Sequence, residues 1–372
     1  MFKKIFLKLN ILLLILMMLM QTGCGKTEEP WNGYTKQSFY FDTICEVTVL
    51  GFSEGVLKEN TEEAFMEEAE SVITDTFSLL SDYEKMLSRT VESSDISRIN
   101  DSEGEAVKVN PETLEVINKG IEFGELSGGV FDITVGKASE LWDFHESITD
   151  EPSKVPDAAD LAEAAKHIDY KGISVDSGAS AVKLSDPEML LDLGGIAKGY
   201  IADKAAEYLR SRGVSSAIVN LGGNIEVVGG KSQGFHSGDQ AQADFNLGIR
   251  DPESETGDLL GIYPGKDMTI VTSGTYERFI EVDGVKYHHI LDPETGYPVD
   301  TDVLQVSILA GSGHSVDCDG LSTVCLALGS QAGTELIRKL DSEGTYGNIE
   351  AIFVTTDGEI IYTKEDTAFI AN

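Results

Sequence analysis

The sequence predicts an α+β protein, and three observations carry that prediction. Long stretches with apolar residues at helical spacing alternate with short strand pairs joined by tight turns. Those pairs read as antiparallel hairpins, not as the parallel strands of a βαβ repeat. No internal repeat of solenoid length interrupts the pattern.

Taken in order, residues 38–50 read as one strand, with Phe39, Phe41, Val47 and Val49 apolar around a polar interruption at Asp42-Thr43. A helix is expected over 61–86, where Phe65, Ala69, Val72, Ile73, Thr76, Phe77, Leu80 and Tyr83 form a buried stripe opposite Glu62, Glu63, Glu67, Glu68 and Glu70. Residues 93–100 suit a capped helical turn, and 111–126 a helix with Asn110 as N-cap and Pro111 at N1. The glycine pair Gly128-Gly129 then precedes the apolar run 130–136, where backbone groups can edge a planar ring; a loop into a strand is the alternative. Residues 145–157 are Pro-containing and charged, a surface loop, so His145 reads as incidental, as does His167. A hairpin over 173–184 leads into a strand at 190–193, a second glycine pair, and a helix over 197–212. In that helix Ala197, Ile201, Ala205, Tyr208 and Leu209 share a face, and Gly213 stops it. The strand 217–225 meets a third glycine pair, and 231–243, which holds His236, is a polar insertion. Alternating strands run from 245 to 287, with Asp283-Gly284 as a hairpin turn. A loop over 288–298, a strand at 303–310, helices at 315–328 and 330–340, and a closing hairpin over 349–363 complete the chain.

The 372 residues carry 28 basic and 64 acidic side chains, a net charge of −36. That excludes a nucleic-acid surface and requires any polyanionic ligand to find a locally positive or metal-filled site. Residues 1–23 form a leader: Lys3, Lys4 and Lys8 precede an apolar run from Ile11 to Met20, and Thr22-Gly23-Cys24 is a small-residue cleavage site ending in cysteine. This resembles a bacterial lipoprotein signal with Cys24 as the lipidated residue, although Gln21 stands where Leu is preferred; a plain signal peptide or an uncleaved anchor is the alternative. Residues 24–37 would then be a tether and 38–372 the functional domain, held at the extracytoplasmic face of the cell membrane. Cys45, Cys318 and Cys325 are scattered and make neither a disulfide framework nor a zinc site.

Three stretches point to chemistry. Around Gly194-Gly195 an apolar strand breaks through glycines into a helix, which lets a phosphate approach the backbone and meet the free N–H groups of a helix start, with Asp192 and Lys198 beside it. A plain strand-to-helix turn has the same signature. On the helix 315–328, Asp319 and Thr323 lie four residues apart on one face, a carboxylate and a hydroxyl that suit Mg²⁺. A solvated Asp and a Thr bonded to its own helix is the competing reading. His289 sits on a loop with turn signals, a better site position than a helix face.

Together these segments resemble the ApbE family, the FAD:protein FMN transferases, many of which are lipoproteins facing the outside of the cell. The resemblance rests on six ordered segments: Ser94-Asp95-Ile96-Ser97-Arg98-Ile99-Asn100, Gly128-Gly129-Val130-Phe131-Asp132-Ile133-Thr134-Val135-Gly136, Asp192-Leu193-Gly194-Gly195-Ile196-Ala197-Lys198-Gly199-Tyr200, Thr272-Ser273-Gly274, His289-Ile290-Leu291-Asp292-Pro293, and Asp319-Gly320-Leu321-Ser322-Thr323. It implies a T-fold-like α+β architecture, antiparallel sheets and helices around a central FAD cleft. Phe41, Val130, Phe131 and Asp132 would contact the flavin nucleotide, with Asp192, Lys198, His289 and Ile290 in the same cleft. Mg²⁺ would be held by the Gly195 carbonyl with Asp319 and Thr323. The implied reaction transfers FMN from FAD to a Ser or Thr hydroxyl of a partner flavoprotein subunit and releases AMP, with His289 or Asp319 as proton acceptor. An FAD pyrophosphatase yielding FMN and AMP, or a non-catalytic flavin-binding lipoprotein, are the alternatives. Asp319-Gly320-Leu321-Ser322-Thr323 echoes the first half of the acceptor motif but lacks its end, so it reads as a metal site and not as a self-acceptor. Three positions depart from the family pattern: Thr90 stands where members often have an aromatic residue, so a flavin-stacking contact is either absent or supplied by Tyr83; Thr275 replaces a commoner acid; and Lys137 a commoner proline.

Overall fold

The computed structural model describes residues 31–144, 154–234, 243–254 and 256–372. The expected leader, Cys24, the first part of the tether, His145 and His236 lie outside those residues.

The chain is α+β, as expected, and its main sheet is antiparallel throughout. The first strands, β1 (Tyr34–Tyr40) and β2 (Thr43–Phe52), correct the single strand read over 38–50. They are a hairpin in register Tyr40↔Thr43, turned by Phe41 and Asp42 at φ 53° and 56°. Two positive φ values give the backbone twist that right-twisted antiparallel strands favour, but Asn-Gly usually supplies it, so the turn signal was missing. β1 also reaches back into the stretch read as tether, because Tyr34 already pairs with Val49.

Helix α1 (Glu62–Leu87) buries the expected stripe and is capped by Thr61, whose side chain accepts from the Ala64 amide. The short α2 (Asp95–Asn100) is capped by Ser94. After β3 (Val107–Lys108), α3 (Pro111–Ser127) starts at the expected proline and ends in Gly128 at φ 68°. The run 130–136 is not the strand expected: Val135 makes an isolated parallel bridge to Leu190, and Gly136 opens α4 (Gly136–Trp142). Helix α5 (Ala158–Ala164), absent from the sequence reading, follows Asp157 as its cap. The hairpin β4 (Ile173–Asp176) and β5 (Ala181–Leu184) leads to the single bridge at Leu190 in place of the strand expected at 190–193. Next come α6 (Ala197–Ser211), β6 (Val214–Leu221), β7 (Asn224–Val228), β8 (Phe245–Arg250), β9 (Leu259–Gly265) and β10 (Met268–Gly274). The hairpin β11 (Phe279–Val282) and β12 (Val285–His288) precedes β13 (Val303–Gly311), α7 (Ser315–Leu328), α8 (Ser330–Glu343), β14 (Glu350–Thr355), β15 (Ile360–Tyr362) and β16 (Ile370–Ala371).

The main sheet has the order β1-β2-β6-β7-β10-β13-β14-β15, with α1, α6, α7 and α8 packed against it. A second sheet, β16-β9-β8, packs on it through Phe245, Leu247, Ile249, Met268, Ile270 and Ile352, so a dry core separates the two. Trp142, Leu161, Ile280 and Leu291 build a smaller core that ties α4 and α5 to the β11–β12 hairpin. The three described cysteines are free and buried, in line with the absence of a framework.

Asp95 anchors α2 to the start of α3. It is 4% exposed and accepts from Thr113 Oγ1 at 2.6 Å, from the Asn110 amide at 2.7 Å and from Arg98. Burial pushes its carboxyl up, but the bonds from Thr113, Asn110 and Arg98 outweigh it and hold the pKa below the ordinary value. The stabilisation is present at neutral pH and is lost as pH falls through the native pKa. Asp95→Ala should lower the free energy of unfolding at pH 7 by about 3 kcal/mol, read from denaturant midpoints, and by less below pH 3.

Candidate active site

A cleft of about 660 Å³ opens between the β1–β2 turn, the loop after α3, the start of α6, the edge of β10 and the loop after β12. Phe41, Val130, Phe131, Asp132, Asp192, Gly195, Lys198, His289, Ile290, Asp319 and Thr323 all line it. Residues up to 282 positions apart in the chain, Phe41 and Thr323, therefore meet around one space.

At one end lie α6 and α7. Asp319, 2% exposed, accepts the Gly199 amide on Oδ2 at 2.8 Å, and its Oδ1 is 3.9 Å from Lys198 Nζ. Thr323 Oγ1 bonds the Asp319 carbonyl at 3.4 Å, and a Cβ placed on Gly195 would come within 3.5 Å of that same hydroxyl. Gly195 thus lies beside Thr323, one helical turn from Asp319, and a backbone carbonyl, a carboxylate and a hydroxyl are hard oxygen donors of the kind that suits a divalent cation of the Mg²⁺ class. The start of α7 is held by Asp203, from α6, which accepts the Ser315 and Val316 amides at 2.9 Å each. Burial pushes its carboxyl up to about 6.

The expected free amides at the start of α6 are mostly spent. Gly194 donates to Asp192 Oδ1, Ile196 and Ala197 to the Leu193 carbonyl, and Gly199 to Asp319. Positive charge at this end comes instead from the Lys198 side chain. Asp192 is equally committed: Oδ1 closes the glycine turn, while Oδ2 accepts from Arg89 Nε at 2.9 Å and Ser139 Oγ at 3.0 Å. Asp132 borders the cleft, but both its oxygens are bound inside the protein, Oδ1 by Thr134 and Oδ2 by the Tyr170 amide.

Across the cleft, His289 donates Nδ1–H to the Arg278 carbonyl at 3.2 Å, the tautomer that leaves Nε2 with a lone pair. Burial, then the Arg278 and Lys198 charges, pull its pKa down to about 4, so the imidazole is neutral at pH 7. Arg278 Nη2 also donates to the Phe41 carbonyl at 3.4 Å, and Glu84 accepts the Phe41 amide at 2.7 Å. The strained turn is therefore pinned from both sides. Sequence reasoning missed four cleft residues, Arg89, Arg250, Glu277 and Arg278. The position of Glu277 and Arg278 just after Thr272-Ser273-Gly274 was an available signal; nothing in the sequence around Arg89 marks it. Tyr83 does not supply a cleft contact: it packs edge-on to Tyr200, 5.8 Å between ring centroids.

The family model described as the ApbE family matches residues 41–353. The chain belongs to the ApbE family. Curated relatives named FAD:protein FMN transferase include one from Treponema pallidum, 33% identical and covering 88% of this chain and 86% of its own. Another, from Klebsiella pneumoniae, is 32% identical over 79% of this chain and 85% of its own. Among solved structures, the ApbE protein of Thermotoga maritima superposes with a TM-score of 0.74 at 30% identity, over 88% of this chain and 96% of that one. The flavin transferase ApbE of Vibrio cholerae does so at 0.71 and 25%, with the same coverage.

The ApbE segments acquire physical roles here. Asn100 exchanges two bonds with the Leu191 backbone, 2.7 and 3.0 Å, and so fixes the glycine turn from α2. Ser97 Oγ, in the same ApbE segment, shares its one proton between the Val91 carbonyl at 2.8 Å and the Arg89 carbonyl at 3.0 Å. Gly128 and Gly129, at φ 68° and 95°, end α3 and swing Phe131 against Gly195. Ser273 of the Thr-Ser-Gly segment meets Ser322 Oγ at 2.7 Å, seating α7 on β10 between Asp319 and Thr323.

Proposed function

We propose that this protein transfers FMN from FAD to a Ser or Thr hydroxyl of a partner flavoprotein, with Mg²⁺, and releases AMP. The observation that carries the reading is that Gly195, Asp319, Thr323 and Lys198 all line the cleft, with Lys198 beside Asp319 and Gly195 beside Thr323, and a neutral His289 lines the same space. Membership of a family whose curated relatives bear that activity's name supports it.

The chain's own groups divide the work. Lys198 offsets pyrophosphate charge, and Gly195 leaves room for the anion beside α6. Bound Mg²⁺ would supply Lewis-acid stabilisation of charge on the phosphate oxygens. The acceptor hydroxyl attacks the FMN phosphorus, the bond to the bridging oxygen breaks, and AMP departs with that oxygen. His289 Nε2, whose lone pair is left by the Nδ1–H bond to Arg278, would take the hydroxyl proton; Asp319 is already engaged by Gly199 and Lys198, which favours His289 as the base. Asp192 orders the turn and holds Arg89.

His289→Gln should lower the transfer rate by about 10²–10⁴-fold with little change in FAD affinity. In the parent, the rate should show no loss from imidazole protonation between about pH 8 and pH 5 and should fall as pH drops through about 4. Stability should decline over the window from pH 6.5 to 4, because there the unfolded chain takes up the proton that the buried ring refuses. The whole reading is tested by incubating the protein with FAD, Mg²⁺ and a candidate acceptor. A covalently fluorescent acceptor with stoichiometric AMP is expected; AMP and FMN without a labelled acceptor would establish the pyrophosphatase instead, and no turnover at all the flavin-binding role. Lipid attachment at Cys24, which would place the domain on the outer side of the membrane, is proposed on the leader alone. Fatty-acid labelling lost in Cys24→Ser checks it.

A further inference from the structure

Arg89 lies between α1 and α2 and lines the cleft with 15% of its side chain exposed. Two carboxylates hold the edge of its guanidinium: Nε donates to Asp192 Oδ2 at 2.9 Å and Nη1 to Glu140 Oε1 at 3.4 Å. Its carbonyl accepts from Ser97 Oγ at 3.0 Å, and Asp192 is itself fixed by Ser139 and the Gly194 amide. Backbone and side chain are both immobilised before any ligand arrives.

The charges decide what this group can bind. One guanidinium against two carboxylates is net negative, a poor seat for a phosphate. Lys198, paired with the oxygen donors of α7, is the better phosphate partner. What a pinned guanidinium still offers a cleft is its planar face, which stacks on heteroaromatic rings and adds a cation–π attraction. Among the described residues, the arginines set over a protein ring are Arg212 and Arg250, so that face of Arg89 has no aromatic partner of its own.

We propose that Arg89 is a stacking platform for a planar ring of the bound dinucleotide, adenine or isoalloxazine, and hence a specificity residue of the cleft. The inference rests on FAD being the ligand. Its test is equilibrium binding of FAD, FMN, AMP and magnesium pyrophosphate to the parent and to Arg89→Ala, Arg89→Lys and Arg89→Tyr. FAD should bind about tenfold more weakly to the Ala and Lys variants and within about threefold of the parent to Arg89→Tyr, with pyrophosphate unchanged in all. Whether FMN or AMP shares the loss identifies the ring. Parent-like binding by Arg89→Lys together with weak binding by Arg89→Tyr would overturn the proposal in favour of a charge contact. Loss of pyrophosphate alongside FAD would reduce Arg89 to a prop for the Asp192 turn, and unchanged FAD binding by all three variants would leave it no role. A parent that binds no FAD would overturn the functional reading as well, and so is distinguished from failure of the stacking alone.

Discussion

Asp319→Ala should abolish transfer, by at least about 10³-fold, while FAD still binds. The carboxylate has two jobs that the alanine leaves undone. In the proposed reading it is the one charged donor in the oxygen set with Gly195 and Thr323, and losing it would remove several kcal/mol of charge stabilisation from the phosphoryl step. It also accepts the Gly199 amide, which would be left buried and unpaired at a cost of about 1–3 kcal/mol. Asp319→Asn separates the two, because an amide oxygen can still accept from Gly199 while the charge is gone. The Asn variant should be as inactive as the Ala variant but unfold at a higher denaturant concentration. Flavin fluorescence reports retained binding, and Mg²⁺ titration reports lost metal affinity. Full activity in Asp319→Ala would remove the metal assignment.

The second large effect is expected at Gly199, remote in kind from any ligand chemistry. A Cβ there would stand 2.3 Å from the Ser315 carbonyl and 2.7 Å from Asp319 Cβ, so α6 and α7 touch backbone to backbone. Ser315 cannot step aside cheaply, since its own amide is held by Asp203. Gly199→Ala should therefore destabilise the fold by about 3 kcal/mol and, by parting the helices, also impair the Asp319 site. Gly311→Ala is the control: its added methyl meets nothing within 4 Å, and a change within about 0.5 kcal/mol is expected. Denaturant unfolding of both, with Mg²⁺ titration of the folded state, decides it. A Gly199→Ala protein as stable as Gly311→Ala would contradict the packing argument.

The sequence announced the cleft better than it announced the strands around it. Glycine pairs and the Asp319–Thr323 spacing mark places where backbone or oxygen donors must come close, and such requirements leave readable residue types. The α1 stripe was equally legible, because 26 residues of helical periodicity admit one interpretation. The Phe41–Asp42 turn was not, since two residues ill suited to positive φ are held there by Arg278 and Glu84, partners far away in the chain. Leu190 failed as a strand for the related reason that it makes an isolated bridge to Val135, a residue contributed by another loop. The commitment of the α6 amides and of Asp192 to internal partners is also a tertiary fact. Nothing in Asp192-Leu193-Gly194-Gly195 distinguishes an amide awaiting phosphate from one already bonded.

The few cations sunk in this cleft, Arg89, Lys198, Arg250 and Arg278, lie inside a body of net charge −36. An anionic dinucleotide approaching from bulk solution meets like charge first and attraction only within the mouth. That repulsion would slow encounter, and added salt, which shortens its reach to about 8 Å at 0.15 M, should quicken capture even as it weakens the bound contacts. An acceptor with a basic face has no such barrier. The same exterior that delays the small donor would draw in that larger partner.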